Sequence, residues 1–188
     1  MPTLPPPSVV VAGLDLSLTG AGVAIIRADS WQQRLSHVRT RTFGGTVSAH
    51  ASTQEQLERL DGIAVGIVDM LRQWGVTHVF VEGYSFGAFA AREKLGELGG
   101  VVKLSIYRAL RITPVAVPPA TARKLFLGHA RKGSKLLVAQ ALKALNAPFK
   151  DDEGDAFVIT NYGLADLGLP FMTVASQEEL NARQIPAV

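Results

Sequence analysis

The 188-residue sequence predicts an α/β domain: a five-stranded mixed sheet, its first three strands antiparallel, flanked by helices on both faces. Three observations carry this. Two nearly continuous, β-branched apolar runs, residues 8–16 and 21–28, are joined by the turn Thr19-Gly20-Ala21-Gly22, as a hairpin of buried strands would be. From residue 53 onward the apolar period changes to that of a helix, and helical stretches alternate with short strand-like runs. No internal repeat and no long linker divides the chain, and its length and 47% apolar share suit one core.

The elements follow in order. After the hairpin, residues 34–43 alternate around Leu35, Val38 and Phe43 and predict a third, edge-facing antiparallel strand; a loop follows. Over 53–74, Leu57, Leu60, Ile63, Ala64, Ile67, Val68, Leu71 and Trp74 recur at spacings of three and four, one stripe of a helix. Ser52 and Glu55 have the spacing of a capping box, and Gly75 ends the helix. Residues 76–83 predict a strand and 87–111 contain a long helix. Residues 112–119 predict a short strand closed by prolines, and 119–127 a short helix. Ser134 is expected to cap a helix through Leu145, and 152–167 form the last one. The expected organisation is a flexible proline-rich tail over 1–8, one domain over 9–168, and a tail or arm over 169–188.

Composition excludes several classes. There is no cysteine, so disulfides, thiolate catalysis and Cys-ligated zinc are ruled out. Any metal site must use carboxylates and histidines, which suits Mg²⁺ or Mn²⁺. His37, His50, His78 and His129 lack ligand spacing and read as structural or surface residues; Trp31, Trp74 and Phe80 read as packing residues. No run approaches the roughly 20 apolar residues of a membrane span. The N-terminal MPTLPPPS lacks the charge and apolar stretch of a secretory signal, so a reducing, cytoplasmic setting is expected. The net charge of +3 is unevenly spread. Residues 92–135 hold ten Lys or Arg against two Glu, a net +8, and the rest hold nine basic against fourteen acidic groups, a net −5. A basic third facing an acidic remainder points to a polyanionic partner.

Four carboxylates stand out by position. Asp15 ends the first strand and Glu82 ends the fourth, in "HVFVEGYSFG". If those strands are parallel neighbours, both acids project from one sheet edge, where open α/β sheets place their ligands. Asp152 and Asp155, in "DDEGDAFVIT", are spaced i, i+3 at a helix start and share a face, with Asp151 and Glu153 as rival acids. Gathered carboxylates repel one another and persist only where cations neutralise them. Two Mg²⁺ ions about 4 Å apart would do so, activating a water against a phosphodiester. An Asp before a glycine turn also opens the nucleotide-binding fold of sugar kinases and actin-like ATPases. Those enzymes clamp a nucleotide between two such lobes, and this chain supplies one.

The ordered set "GLDLSLTGAGV", "VFVEGYSFG" with "LGELGGVV", "VPPATARKLFLG", "KGSKLLV" and "DEGDAFVI" resembles the RuvC type of Holliday-junction resolvase, within the ribonuclease H-like superfamily. The match runs from about Val9 to about Tyr162. The resemblance implies a ribonuclease H-like fold and a metal-dependent crossover junction endonuclease acting on four-way DNA. Asp15, Glu82, Asp152 and Asp155 would be its catalytic acids, holding two Mg²⁺ ions with Mn²⁺ as a substitute, and the products would carry 5′-phosphate and 3′-hydroxyl ends. Arg123 and Lys135 fall near basic positions the family uses on DNA; Lys124, Arg131 and Lys132, from the same basic segment, are expected along the phosphate backbone with them, as are Tyr84 or Phe86 after the second acid, and which aromatic, if any, wedges into the junction stays open. The helix after Glu82 resembles the family's dimer-forming helix, with Val102 and Ile106 as the expected contacts of a homodimer. Leu16-Ser17 stand where cellular members have Pro-Gly and a longer loop, which marks a divergent member of the type a phage would encode. Two alternatives remain: a nuclease of the same fold acting on flap or other branched DNA, and an inactive DNA-binding scaffold or one-lobed ATPase relative.

Overall fold

The computed structural model describes residues 8–17, 19–44, 51–83, 89–129 and 133–175, with side chains omitted over 89–95. Five strands, β1 (Val10–Asp15), β2 (Ala21–Arg27), β3 (Arg39–Phe43), β4 (His78–Glu82) and β5 (Val115–Val117), form one sheet in the order β3-β2-β1-β4-β5. The β1-β2 and β2-β3 pairs are antiparallel, and β1-β4 and β4-β5 are parallel. Helices α1 (Thr53–Gln73) and α2 (Phe89–Leu110) cover one face; α3 (Pro119–Leu127), α4 (Ser134–Ala144) and α5 (Asp151–Asp166) cover the other.

Strand alternation divides the core in two. Val10, Ala12 and Leu14 of β1, with Val79 and Val81 of β4, pack against Ile63, Ile67 and Leu71 of α1 and Leu98, Val102 and Ile106 of α2. Val11 and Phe80 point the other way, onto Phe126, Val138 and Phe157. The same parity puts Gly13 and Asp15 on the α5 face of β1, and Glu82 on that face of β4. A side chain at Gly13 would meet the backbone of Ala156 and Thr160 at 2.4 Å, and one at Gly22 the Asp152 carbonyl at 2.0 Å. These two glycines let α5 lie directly on β1 and β2. Most of α5 is consequently buried between the sheet and α3-α4, Glu153 through Asn161 without interruption.

The Ser52–Glu55 capping box forms as expected, and Gly75 takes the left-handed φ of 62° that ends α1. Several expectations need correction. The third strand starts at Arg39 rather than residue 34, because Gln33 turns the chain at φ 53° and Leu35–His37 form a 3₁₀ turn. Gly133, at φ 80°, sits at the N-cap of α4, and Ser134 is already helical. Val102 and Ile106 are fully buried. Their side of α2 packs on its own sheet, so they cannot be contacts with a second copy. The expected arm after residue 168 does not begin there. Met172 is fully buried, and its backbone N–H and carbonyl are both bonded by the side-chain amide of Asn161, which ties residues 169–174 to α5. Among the described residues no helix is long and apolar enough to cross a membrane.

Candidate active site

The register of β1 and β4 builds the site. Leu14 pairs with Val81, so one step along these parallel strands Asp15 and Glu82 arrive side by side at the carboxyl edge of the sheet. Both project to the α5 face, where Gly22, the partner of Asp15 in β2, admits the first turn of α5. Asp155, one turn into that helix, is thereby brought to the two strand-end acids.

Asp15 is buried, and its carboxyl shares a hydrogen bond with that of Glu82. Arg123 of α3 bridges the other two acids: its Nη2 lies 3.3 Å from Glu82 Oε1 and 3.7 Å from Asp155 Oδ1. Lys135, in the first turn of α4, places Nζ 2.8 Å from Asp155 Oδ2. Burial pushes the Asp15 carboxyl from its ordinary value up to about 9, with the shared Glu82 hydrogen bond and the charges of Glu82 and Asp155 adding to it and Lys135 opposing. The bond to Asp155 raises Lys135.

The rival acids of α5 separate by their partners. Asp152 is half-buried and its carboxylate lies against Gly20, where a side chain would come within 2.3 Å of Oδ2. Burial raises its pKa, and Lys135 opposes the rise. It therefore stands at the margin of the cluster, within reach of the Lys135 charge. Glu153 is buried and faces β3, accepting hydrogen bonds from the Thr40 hydroxyl at 2.9 Å and the Thr42 hydroxyl at 3.2 Å. It is a structural clamp between α5 and the sheet. Asp151 is exposed.

The structure thus gathers Asp15, Glu82 and Asp155 with Arg123 and Lys135, and sets Asp152 beside them. Among the described residues, no three acids already converge in metal-ligating geometry. The donor set nevertheless fits a hard divalent cation: it is all carboxylate oxygen, and burial holds the Asp15 carboxyl well above its ordinary pKa, a cost that a bound cation would offset. Lys124 is exposed on α3. Tyr84, Phe86, Arg131 and Lys132 lie outside the described residues. The intimate contact of Arg123 and Lys135 with the acids was not legible from spacing, since it depends on how α3 and α4 pack.

No family model and no curated protein matches the sequence. Solved structures do. RuvC of Thermus thermophilus is 22% identical, with a TM-score of 0.61 over 85% of this chain and 97% of that one. T. thermophilus RuvC in complex with Holliday junction substrate is 23% identical, with a TM-score of 0.58 over 85% and 96%. Fowlpox virus resolvase, in complex with Holliday junction DNA, is 12% identical, with a TM-score of 0.52 over 85% and 99%. At such identities the likeness is one of fold, and it extends over 85% of this chain. The chain has the ribonuclease H-like fold of the RuvC-type resolvases that its motifs resemble.

Proposed function

We propose that this protein is a structure-specific DNA endonuclease that resolves four-way junctions as a homodimer. The observation that carries the reading is the meeting of Asp15, Glu82 and Asp155 at one sheet edge, on a fold similar to junction resolvases over 85% of the chain. In this reading Asp15, Glu82, Asp152 and Asp155 hold two Mg²⁺ or Mn²⁺ ions. Such ions, when bound, lower the pKa of a water and offset the charge developing on the scissile phosphate. The carboxylates fix where that phosphate sits. Arg123 and Lys135 neutralise the acids and meet the phosphate backbone, joined along the strand by Lys124, Arg131 and Lys132. Attack of water-derived hydroxide on phosphorus would break the bond to O3′, which takes a proton from solvent water, and the ends would be a 5′-phosphate and a 3′-hydroxyl.

A junction must be cut on two opposed strands, and one chain offers one acidic cluster; a two-fold pair supplies both cuts. The outer side of α2 suits that pairing. Gly96, Gly100, Leu104 and Tyr107 lie on one stripe, Leu104 and Tyr107 are half exposed, and among the described residues nothing beyond the helix's own neighbouring backbone lies within 4 Å of the side-chain positions at the two glycines. Helices can approach closely there.

A panel of labelled substrates tests the reading: an immobile four-way junction, its matching duplex and a flap, each with Mg²⁺ or EDTA. Paired, symmetric cuts confined to the junction and to Mg²⁺ are expected. Preferential flap cutting would redirect the substrate, and no cutting under any divalent ion would overturn the enzyme.

A further inference from the structure

A groove of about 850 Å³ runs between α4 and the start of α5 and opens onto the acid cluster, sharing Lys135 and Asp155 with it. Its lining is mostly apolar, from Leu136, Leu142, Ala147 and Phe149. Leu136 is 65% exposed, an apolar side chain left open to solvent among the described residues. Lys135, Lys143 and Lys150 also line it; Lys143 and Lys150 have no carboxylate within ion-pair distance among the described residues, and Asp151 is the other acid there.

We infer that this groove holds the unstacked nucleotides of the substrate strand next to the scissile phosphate. Three features select this occupant. An apolar lining with lysines beside it matches a single strand, whose bases have apolar faces and whose phosphates are anionic. Continuity with Asp155 puts such a strand in line with the acids. The volume exceeds what one base needs, so adjacent nucleotides can enter together. A duplex, with its bases stacked inside, would leave the lining bare, so the groove favours DNA that opens near a branch point. The inference rests on the nuclease reading above and adds the conformation in which the strand is held.

The test uses the full-length protein and an immobile junction carrying 2-aminopurine, one position at a time, at the three nucleotides on either side of the mapped cut. Ca²⁺ replaces Mg²⁺ for the fluorescence measurement. Wild-type protein should change the fluorescence on one side of the cut. Leu136→Asp and Lys143→Glu should remove that change and slow Mg²⁺-dependent cutting about tenfold. Both positions are exposed, so melting temperature should hold; Leu57→Asp, on the exposed side of α1, is the control and should change nothing. Wild-type fluorescence and cutting rates in both groove variants, with the wild-type enzyme active, would overturn the inference and leave the nuclease standing. Loss of dimer mass in Leu136→Asp by light scattering would overturn it in favour of a second copy in the groove. A wild-type protein that neither binds nor cuts branched DNA would remove both readings.

Discussion

Replacing Asp15 with Asn should make the metal-free protein more stable while abolishing its cutting. The native carboxyl is buried, bonded to Glu82, and titrates up at about 9, against an ordinary value of 3.8. An acid whose pKa is higher folded than unfolded takes up a proton on folding. It costs nothing below its unfolded value, and the cost grows as pH rises toward the folded one. Each pH unit above the ordinary value adds about 1.4 kcal/mol, so at pH 7 the ceiling is on the order of 4 kcal/mol. Relaxation of the surrounding side chains lowers it. Asn keeps the shape and a donor toward Glu82 and carries no charge to bury. Urea unfolding in EDTA at pH 5, 6, 7 and 8.5 should show a gain for Asp15→Asn that increases with pH and reaches roughly 2–4 kcal/mol at neutrality. Added Mg²⁺ should narrow the gap by stabilising the wild type. A variant less stable than wild type at pH 7, or a difference that does not vary with pH, would refute the reasoning.

Other expectations follow from the same geometry. Gly22→Ala drives a methyl group into the Asp152 backbone and should cost about 1–3 kcal/mol by chemical denaturation and most of the cleavage rate, because α5 carries two of the acids. Glu153→Gln should lower the melting temperature and preserve cutting in the folded fraction, whereas Asp152→Asn should preserve the fold and lose the cutting; Asp151→Asn should do little to either. Leu104→Glu with Tyr107→Glu should give soluble monomers by light scattering, while Val102→Glu should fail to fold. Lys124→Ala should flatten the salt dependence of junction binding by about one unit of slope if it meets a phosphate, measured by titration at several salt concentrations.

Much of the fold was legible because strands and helices declare themselves by period. The hairpin of β1 and β2, the α1 stripe with its Ser52–Glu55 box, and the strand ending in Glu82 are local patterns, and local patterns survive folding. What failed depended on partners remote in sequence. Leu98, Val102 and Ile106 form a stripe with helical spacing, but spacing does not say whether a stripe meets its own sheet or another copy. Residues 169–174 look like a tail until the buried Asn161 amide, eleven residues before Met172, captures them. The site divides in the same way. Asp15 and Glu82 were readable as strand-end acids whose strands had to be neighbours. Among the acids of "DDEG", only the threonines of β3 reveal that Glu153 is a clamp, and only the packing of α3 and α4 brings Arg123 and Lys135 onto the carboxylates.

The measurement closest to the central claim maps cuts on one end-labelled immobile junction with Mg²⁺, comparing wild type with Asp15→Asn, Glu82→Gln, Asp152→Asn and Asp155→Asn, alongside junction binding in Ca²⁺. Wild type should make two symmetric cuts that leave ligatable 5′-phosphate and 3′-hydroxyl ends, and each variant should bind the junction yet cut it at least a hundredfold more slowly, a loss of about 3 kcal/mol in transition-state stabilisation. Undiminished cutting by Asp15→Asn or Glu82→Gln would contradict the assignment of this acidic cluster as the site of hydrolysis.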